Sequence, residues 1–267
     1  MPLLHLFLVA VIQGITEFLP VSSSGHLILL PNVTGLADQG QVIDVAVHLG
    51  TLGAVILYFW RDVRLALSGL PGLVTGRLES PGARLAFLLM IATIPVVIVG
   101  AILAATGLDD ALRRIDVIGW TMLVFGVLLY WADQRGGTAL QDRDWNSRHA
   151  WIFGLWQAVA LIPGTSRSGI TITAGRLLGY DRHGAAKIAM LMSIPTILAS
   201  GALKGAEVVA TADIQAARDG AIAAGFAFVS ALLALAIMMR LLRSVSFTPY
   251  VIYRVLLGVI LLWIAYT

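Results

Sequence analysis

Two short polar segments interrupt a chain that is otherwise strongly apolar. The first, QGITEFLPVSSSGH at residues 13–26, combines a carboxylate, three consecutive serines and a histidine, and its Glu17 is the only charged side chain among residues 1–37. The second, PGTSRSG at residues 163–169, places Arg167 between two serines. An ionisable side chain inside an apolar membrane segment is costly, so its presence indicates a functional site.

The residue types in these segments suit the chemistry of a phosphorylated ligand. Arg167 presents a planar fork of donors that matches phosphate oxygens, and hydroxyls and glycine-rich turns at helix N-termini add further donors. Ser23 offers a hydroxyl nucleophile, and His26 offers an acid or base that titrates near neutral pH. Glu17 would repel a phosphate unless it binds a divalent cation or accepts a proton. Gln13 lies one helical turn before Glu17, and Mg²⁺ commonly uses one or two carboxylates together with substrate phosphates.

Structural roles for the same residues stay open at this point. A run of serines can satisfy the main chain where a helix breaks inside a membrane. Glu17 and Arg167 could form a purely structural ion pair. His48, near the start of an apolar run, is left between a structural role and a place at the rim of the site.

The composition predicts a membrane protein. Hydrophobic residues make up 58% of the chain and charged residues 12%, against about 25% charged residues in soluble domains. The absence of cysteine excludes disulfides and thiol catalysis, and a net charge of +3 does not suggest nucleic acid. Too many runs are helix-length and nearly uncharged for a buried soluble core. Six runs are long enough to span a bilayer: roughly 42–60, 85–106, 116–132, 187–206, 220–240 and 247–266.

Two further apolar pieces are too short and too abruptly broken to span. Residues 1–19 end at a proline and continue as 26–37, and residues 149–162 end at Pro163-Gly164 and continue as 170–179. Each pair is predicted to form a re-entrant helical hairpin, since a non-helical main chain at membrane depth must be buried in protein or line a wet cavity.

The two broken pieces resemble each other at an offset of 144 positions. Gln13 then meets Gln157, and Ser22, Ser24 and Gly25 meet the corresponding residues of the second segment. We therefore predict a single all-α polytopic membrane domain over residues 1–267. It would contain about six transmembrane helices and two re-entrant hairpins, arranged as an inverted-topology repeat with halves of about 1–135 and 149–267.

Loop charges orient this arrangement. Lysine and arginine are concentrated in the loops at 61–84, 133–149, 181–187 and 240–246, so these loops are predicted to be cytoplasmic. The alternate loops are acidic or balanced, with Asp109, Asp110, Glu207 and Asp213. Both termini and the predicted active site then face the outside. Arg254, one or two turns into the last apolar run, is predicted to extend to the cytoplasmic interface.

The two motifs together resemble the undecaprenyl-diphosphate phosphatase family of the bacitracin-resistance BacA type. The resemblance rests on EFLPVSSSGH and PGTSRSG, on their spacing and on the number of spans, and it covers essentially the whole chain. The acidic motif of the family, Glu or Gln followed by three residues and Glu, is matched by Gln13 and Glu17. Its PGxSRSxxT motif is matched by residues 163–171.

The resemblance implies hydrolysis of undecaprenyl diphosphate to undecaprenyl phosphate and phosphate, at the outer side of the bacterial inner membrane. This reaction recycles the lipid carrier for peptidoglycan synthesis. A divalent metal, usually Mg²⁺ with Ca²⁺ as the alternative, would be held by Gln13 and Glu17. The implied catalytic residues are Glu17, Ser23, His26 and Arg167. The implied substrate-binding residues are Ser22, Ser24, Gly25, Gly164, Thr165, Ser166, Ser168 and Thr171.

Two alternatives accompany this expectation. An inverted repeat with broken helices is also typical of a transporter, so a carrier or flippase of an anionic polyprenyl lipid is the competing function. The oligomeric state is left open between a monomer and a homodimer, and no nucleic-acid partner is expected.

Overall fold

The computed structural model describes residues 1–35, 39–211 and 214–267, without the side chains of 32–34, 109–110 and 203–211. The described residues fold into helices, with no strand among them. In chain order the helices are α1 (Leu3–Phe18), α2 (Ser23–Thr34), α3 (Gly40–Tyr58), α4 (Trp60–Val74), α5 (Pro81–Thr106), α6 (Leu108–Ala111), α7 (Ile115–Arg135), α8 (Ser147–Val159), α9 (Arg167–Leu177), α10 (Arg182–Thr211), α11 (Ile214–Leu241) and α12 (Thr248–Tyr266).

The predicted set of six spanning helices is confirmed. Six helices of the described chain are long and apolar enough to cross a membrane: Gly40–Tyr58, Pro81–Thr106, Ile115–Arg135, Arg182–Ala202, Ile214–Leu241 and Thr248–Tyr266. A helix of about 20 apolar residues spans the hydrocarbon layer. The protein is therefore an all-α polytopic membrane protein.

The prediction of a loop at 61–84 is wrong in its first part, because residues Trp60–Val74 form the amphipathic helix α4. One face of α4 carries charged residues, and a count of charges alone therefore predicts a loop there. Gly69 brings α4 against α5, where a Cβ atom would lie 2.1 Å from the main-chain nitrogen of Ala83. Of the acidic loop residues used for orientation, Asp213 lies outside the described residues, as do the side chains of Asp109, Asp110 and Glu207.

The two broken pieces form two helix–break–helix units, α1–α2 and α8–α9. Equivalent helices have equivalent neighbours: α1 packs on α11 and α8 on α5, while α3 meets α10 and α7 meets α12. This pairing relates the two halves by equivalent neighbours and does not give their relative direction in a membrane. The re-entrant position of the units in a bilayer and the division into two opposed halves stay predictions.

One end of the helical bundle is held by a buried charge cluster. The Arg176 guanidinium donates to the Asp133 carboxylate and to the main-chain oxygens of Asp133, Gly136, Gly137 and Tyr180. Arg182 also donates to the Asp133 carboxylate, at 2.7 and 3.1 Å. The cluster ties α9 and α10 to the end of α7, so this part of the fold has its own ionic support, apart from the two breaks.

Small residues let α3 and α11 approach closely. A Cβ atom on Gly50 would lie 2.2 Å from the main-chain oxygen of Ala224, a distance that real contacts do not reach. This contact fixes the position of α3, and α3 carries His48. By contrast, a Cβ atom on Gly225 of α11 meets no atom of the described residues within 4 Å.

We expect Gly50→Ala to lower the free energy of unfolding by about 1–3 kcal/mol, because the methyl group overpacks the α3–α11 contact. Gly225→Ala is the matched control and should be neutral or stabilising by up to about 1 kcal/mol, because alanine favours helix and the site is open. The measurement is the midpoint of thermal unfolding in detergent. A Gly50→Ala protein that unfolds at the wild-type temperature would contradict this packing.

Candidate active site

The first break begins where Pro20 prevents α1 from continuing. Leu19, directly before the proline, is extended with ψ of 144°, as steric contact with a following proline favours. Ser22 then adopts φ of 73°, and α2 starts at Ser23 without a side-chain cap on its first turn. The main-chain N–H groups of that turn are thus not capped by the serine that precedes them.

The second break repeats this geometry. Gly164, with φ of 86°, supplies the turn, and Ser166 adopts φ of 70° before α9 starts at Arg167. Ser22 and Ser166 are the only non-glycine residues with positive φ in the described part of the chain, and they are 144 positions apart. A positive φ at serine costs of order 1–3 kcal/mol, so surrounding contacts must stabilise both turns. Ser23 and Arg167 consequently occupy equivalent positions, each the first residue of the second helix.

The two breaks contact each other through reciprocal hydrogen bonds. The Gly164 N–H donates to the Ser24 hydroxyl at 3.3 Å, and the Ser168 hydroxyl donates to the Leu19 carbonyl at 2.9 Å. Thr121 of α7 adds a hydrogen bond from its hydroxyl to the Pro163 carbonyl at 2.6 Å. The unpaired main-chain groups of each break are in this way partly satisfied by the other.

Glu17 and Arg167 form an ion pair between the breaks. Arg167 Nη2 donates to Glu17 Oε1 at 3.0 Å, and the two side chains are only 13% and 9% exposed. Glu17 Oε2 accepts from Gln13 Nε2 at 2.8 Å and from the Ser23 hydroxyl at 3.2 Å. The Glu17 carboxylate therefore contacts the Arg167 guanidinium, the Gln13 amide and the hydroxyl of Ser23, the predicted nucleophile, in one cluster.

Two further contacts complete this cluster. Arg167 Nη1 donates to the Ala189 carbonyl of α10 at 3.2 Å, which orients the guanidinium. His48 Nε2 lies 3.9 Å from Glu17 Oε2, and its Nδ1 donates to the Asp44 carbonyl at 2.6 Å. His48 thus lies at the rim of the site, which was one of its two expected roles.

A cavity of about 210 Å³ opens beside the ion pair. It is lined by Thr16, Glu17, Ser22, Ser23, Ser24, His48, Ala160, Ser166 and Arg167. Its walls therefore contain one carboxylate, one guanidinium, one imidazole and five hydroxyls. Thr16 and Ala160 carry no sequence signal that would have assigned them to the site.

Several of the predicted substrate-binding residues lie outside the cavity. Gly25, Gly164, Thr165, Ser168 and Thr171 are not among the residues that line the cavity. Thr171 donates to the Arg167 carbonyl at 2.7 Å, and Ser168 is fully buried. Gly25 lies against α7, where a Cβ atom would be 3.0 Å from the sulfur of Met122.

His26 also lies outside the cavity, although the sequence suggests it as an acid or base. Its Nδ1 donates to the Ser22 carbonyl at 2.7 Å, and its Nε2 is 2.5 Å from the Tyr253 hydroxyl. The two rings are stacked with centroids 5.5 Å apart. Both ring nitrogens of His26 are therefore already hydrogen-bonded, one to the main chain of the first break and the other to Tyr253 of α12.

The prediction that Arg254 extends to the cytoplasmic interface is wrong. Its side chain is fully buried and donates to the main-chain oxygens of both breaks. Arg254 is the one charged residue in the apolar run 247–266, the same signal that identified Glu17. Its place near the end of that run favoured an interfacial interpretation, and only the packing of α12 shows where the guanidinium lies.

The predicted cation ligands Gln13 and Glu17 lie side by side on α1. The Gln13 side chain is fully buried and does not line the cavity; its Nε2 donates to Glu17 Oε2, and its Oε1 has no hydrogen-bond partner among the described residues. The Glu17 carboxylate and this amide oxygen are the hard oxygen donors offered here, and Mg²⁺ commonly takes its other ligands from phosphates and water. Among the described residues no cluster of three or more His, Cys, Asp or Glu side chains occurs. A cation here would accordingly depend on ligand oxygens.

The fold and the site define a class of protein. Six apolar helices surround two helix breaks that bring a buried carboxylate, a guanidinium and several hydroxyls to one cavity. Polar groups of this kind inside a helical membrane domain are typical of a membrane protein that acts on a phosphorylated or otherwise anionic ligand.

The chain belongs to the family described as bacitracin resistance protein BacA, which matches residues 6–260. It is 72% identical to proteins named undecaprenyl-diphosphatase from Jannaschia sp. (strain CCS1), over 266 residues, and from Ruegeria pomeroyi, over 267 residues. In both cases the match covers 100% of each chain. A more distant relative with the same name, from Chromohalobacter salexigens, is 45% identical over 98% of this chain and 99% of its own length.

We expect Arg167→Met to lower the free energy of unfolding by about 3 kcal/mol, because it leaves the Glu17 carboxylate buried without its charge partner. Adding Glu17→Gln should recover much of the loss, because the double variant buries no lone charge. Thermal unfolding of both variants in detergent measures the difference. If the double variant is less stable than Arg167→Met, the stabilising role of the ion pair is contradicted.

Proposed function

We propose that this protein hydrolyses undecaprenyl diphosphate to undecaprenyl phosphate and phosphate, and so recycles the lipid carrier for peptidoglycan synthesis. The observation that carries the proposal is that Arg167 and Ser23 both bond to the Glu17 carboxylate beside one cavity. Arg167 Nη2 lies 3.0 Å from Glu17 Oε1, and the Ser23 hydroxyl lies 3.2 Å from Glu17 Oε2. The full-length relatives named undecaprenyl-diphosphatase support the same reaction.

The diphosphate would bind between the two helix breaks. Arg167 lines the cavity together with Ser22, Ser24 and Ser166, so a guanidinium and three hydroxyls are available to the phosphates. The N-terminus of α2 adds main-chain N–H groups without a side-chain cap. Helix N-termini and a guanidinium both favour a bound phosphate, and they stabilise the charge that spreads over the transferring group.

Ser23 is the proposed nucleophile. Its hydroxyl oxygen attacks the terminal phosphorus while Glu17 Oε2, 3.2 Å away, accepts the proton. The bond from that phosphorus to the bridging oxygen breaks, and undecaprenyl phosphate leaves with the bridging oxygen. Water then hydrolyses the phosphoserine to release phosphate and restore the hydroxyl. Direct attack by water, with Glu17 as the base, is the alternative step.

Glu17 and the free amide oxygen of Gln13 would hold a divalent cation, with Mg²⁺ favoured and Ca²⁺ the alternative. When bound, this ion supplies positive charge against the oxygens of the diphosphate. Arg167 and the serines position the phosphates whichever of the two cations is present.

The proposed setting is the bacterial inner membrane, with both termini and the cavity facing the periplasm. The excess of arginine and lysine in the segments 61–84, 133–149, 181–187 and 240–246, on the predicted cytoplasmic side, supports this orientation. An inverted repeat of the halves 1–135 and 149–267 is the proposed architecture, supported by the equivalent turns at Ser22 and Ser166. A homodimer is compatible with this arrangement, and the proposed activity requires no nucleic acid.

The purified protein in detergent should release phosphate from undecaprenyl diphosphate. Excess EDTA should abolish the release and added Mg²⁺ should restore it, because the site offers only part of a coordination sphere. Arg167→Ala should lower kcat/KM by roughly 100- to 1,000-fold, as loss of a transition-state donor does. A folded wild-type protein that releases no phosphate would refute the proposed function and favour transport of the anionic lipid instead.

Ser23→Ala should lower kcat for phosphate release by at least about 1,000-fold if the hydroxyl forms the covalent intermediate. Ser193→Ala is the matched control, because Ser193 is fully buried in α10 and donates only to the Met190 carbonyl. Acid quenching of wild-type protein during turnover should trap phosphate on Ser23. Near-normal turnover by Ser23→Ala would leave direct attack by water as the mechanism.

A further inference from the structure

Arg254 of helix α12 contacts both breaks and does not line the cavity. Arg254 Nη2 donates to the carbonyls of Gly164 and Thr165, at 3.1 and 2.9 Å, and its Nη1 donates to the Pro20 carbonyl at 3.4 Å. All three acceptors are main-chain oxygens, and they come from both breaks. One guanidinium thus holds the two turns together.

The surroundings of Arg254 enclose its side chain, and its Nε has no hydrogen-bond partner among the described residues, so all its hydrogen bonds come from Nη1 and Nη2. Its side chain is fully buried and forms no salt bridge with any carboxylate of the described residues. A Cβ atom on Gly169 would lie 2.7 Å from Arg254 Nη1, and a Cβ atom on Gly126 would lie 3.4 Å from Arg254 Cβ. A buried cation without a carboxylate partner is costly, so its hydrogen bonds to the breaks must offset that cost.

The neighbouring residue, Tyr253, reaches the first break through His26. Because the Ser22 carbonyl can only accept, His26 Nδ1 carries the proton of that hydrogen bond, and in the neutral ring Nε2 accepts from the Tyr253 hydroxyl. The peptide between Ser22 and Ser23 is thereby fixed. Tyr253 and Arg254 together hold the main chain directly before Ser23 and directly before Ser166.

These contacts bear on the catalytic side chains because a peptide unit is planar. When a carbonyl is held, the orientation of the whole peptide plane and the start of the next residue are held too. Ser23 and Arg167 each follow a serine with positive φ, a conformation that needs external support. Release of the carbonyls would allow both turns to relax and would change the distance between the hydroxyl and the guanidinium.

We propose that Tyr253 and Arg254 are positioning residues for the hydrolysis: through main-chain oxygens of the two breaks they hold Ser23 and Arg167 in their relative positions. This inference rests on the proposed function. Neither residue lines the cavity, so the proposed role acts through the main chain of the breaks and not through the ligand. The sequence places them side by side on α12, and the fold makes them the common support of both halves of the site.

The main test compares Arg254→Lys with Arg176→Lys. Both arginines are fully buried and donate to several carbonyls, but Arg176 lies in the cluster with Asp133 and contacts neither break. A lysine ammonium lacks the planar fork and cannot keep all three acceptors in their positions. We expect Arg254→Lys to lower kcat for phosphate release roughly 100-fold with a smaller change in KM, as misplacement of reacting groups does. Arg176→Lys should lower the unfolding temperature and keep kcat.

Two measurements separate positioning from a general loss of structure. In an Arg167→Ala background, Arg254→Lys should lower kcat/KM much less than in the wild type, because the two residues act on the same step. Tyr253→Phe removes one hydroxyl and should lower kcat more than Tyr250→Phe, whose ring lies on the same helix near Phe247. Tyr253→Phe also decides the question if Arg254→Lys does not fold.

The outcomes are distinct for the two proposals. A wild-type protein without phosphatase activity refutes the proposed function. An active wild type with Arg254→Lys and Tyr253→Phe at the kcat of their controls overturns the positioning role. Equal losses from Arg254→Lys with and without Arg167 overturn it as well, since they indicate an effect that does not pass through the site.

Discussion

The ion pair between Glu17 and Arg167 joins the two helix breaks through residues that are 150 positions apart in the chain. Neither charge could stay alone in an apolar helical domain, because an unpaired buried charge is strongly destabilising. The pair therefore requires α1 and α9 to come together, and with them the serines and main-chain groups that surround the cavity. The rest of the helical framework serves to keep these two short units in contact.

The breaks create a second demand, which is satisfaction of exposed main-chain groups. Where α1 and α8 end early, carbonyl and N–H groups lose their helical partners, and the interior offers little water to replace them. Side chains supply the missing hydrogen bonds: Ser24 and Ser168 bond across the breaks, Thr121 donates to the Pro163 carbonyl, and Arg254 donates to main-chain carbonyls. Groups proposed to bind a phosphate and groups that stabilise the turns are in this way neighbours on the same few residues.

Packing of small residues sets the frame around the site. Gly50 of α3 and Gly14 of α1 lie against the main chain of α11, with hypothetical Cβ atoms at 2.2 Å from Ala224 and 2.7 Å from Ala227. Such contacts are typical of helices in membranes, where close approach gains van der Waals contact. They bring His48 and Glu17 to the same cavity from two different helices.

The sequence by itself determined the all-α membrane class, the six spans and the two polar segments, because hydropathy and the cost of buried charge act locally along the chain. It also left open an ion pair between Glu17 and Arg167, which the structure forms. Only the tertiary structure decided which side of each turn faces the cavity. His26 lies against Tyr253, Arg254 is buried behind both breaks, and α4 forms where a loop was expected. These outcomes depend on how helices distant in sequence pack, and no local pattern contains that information.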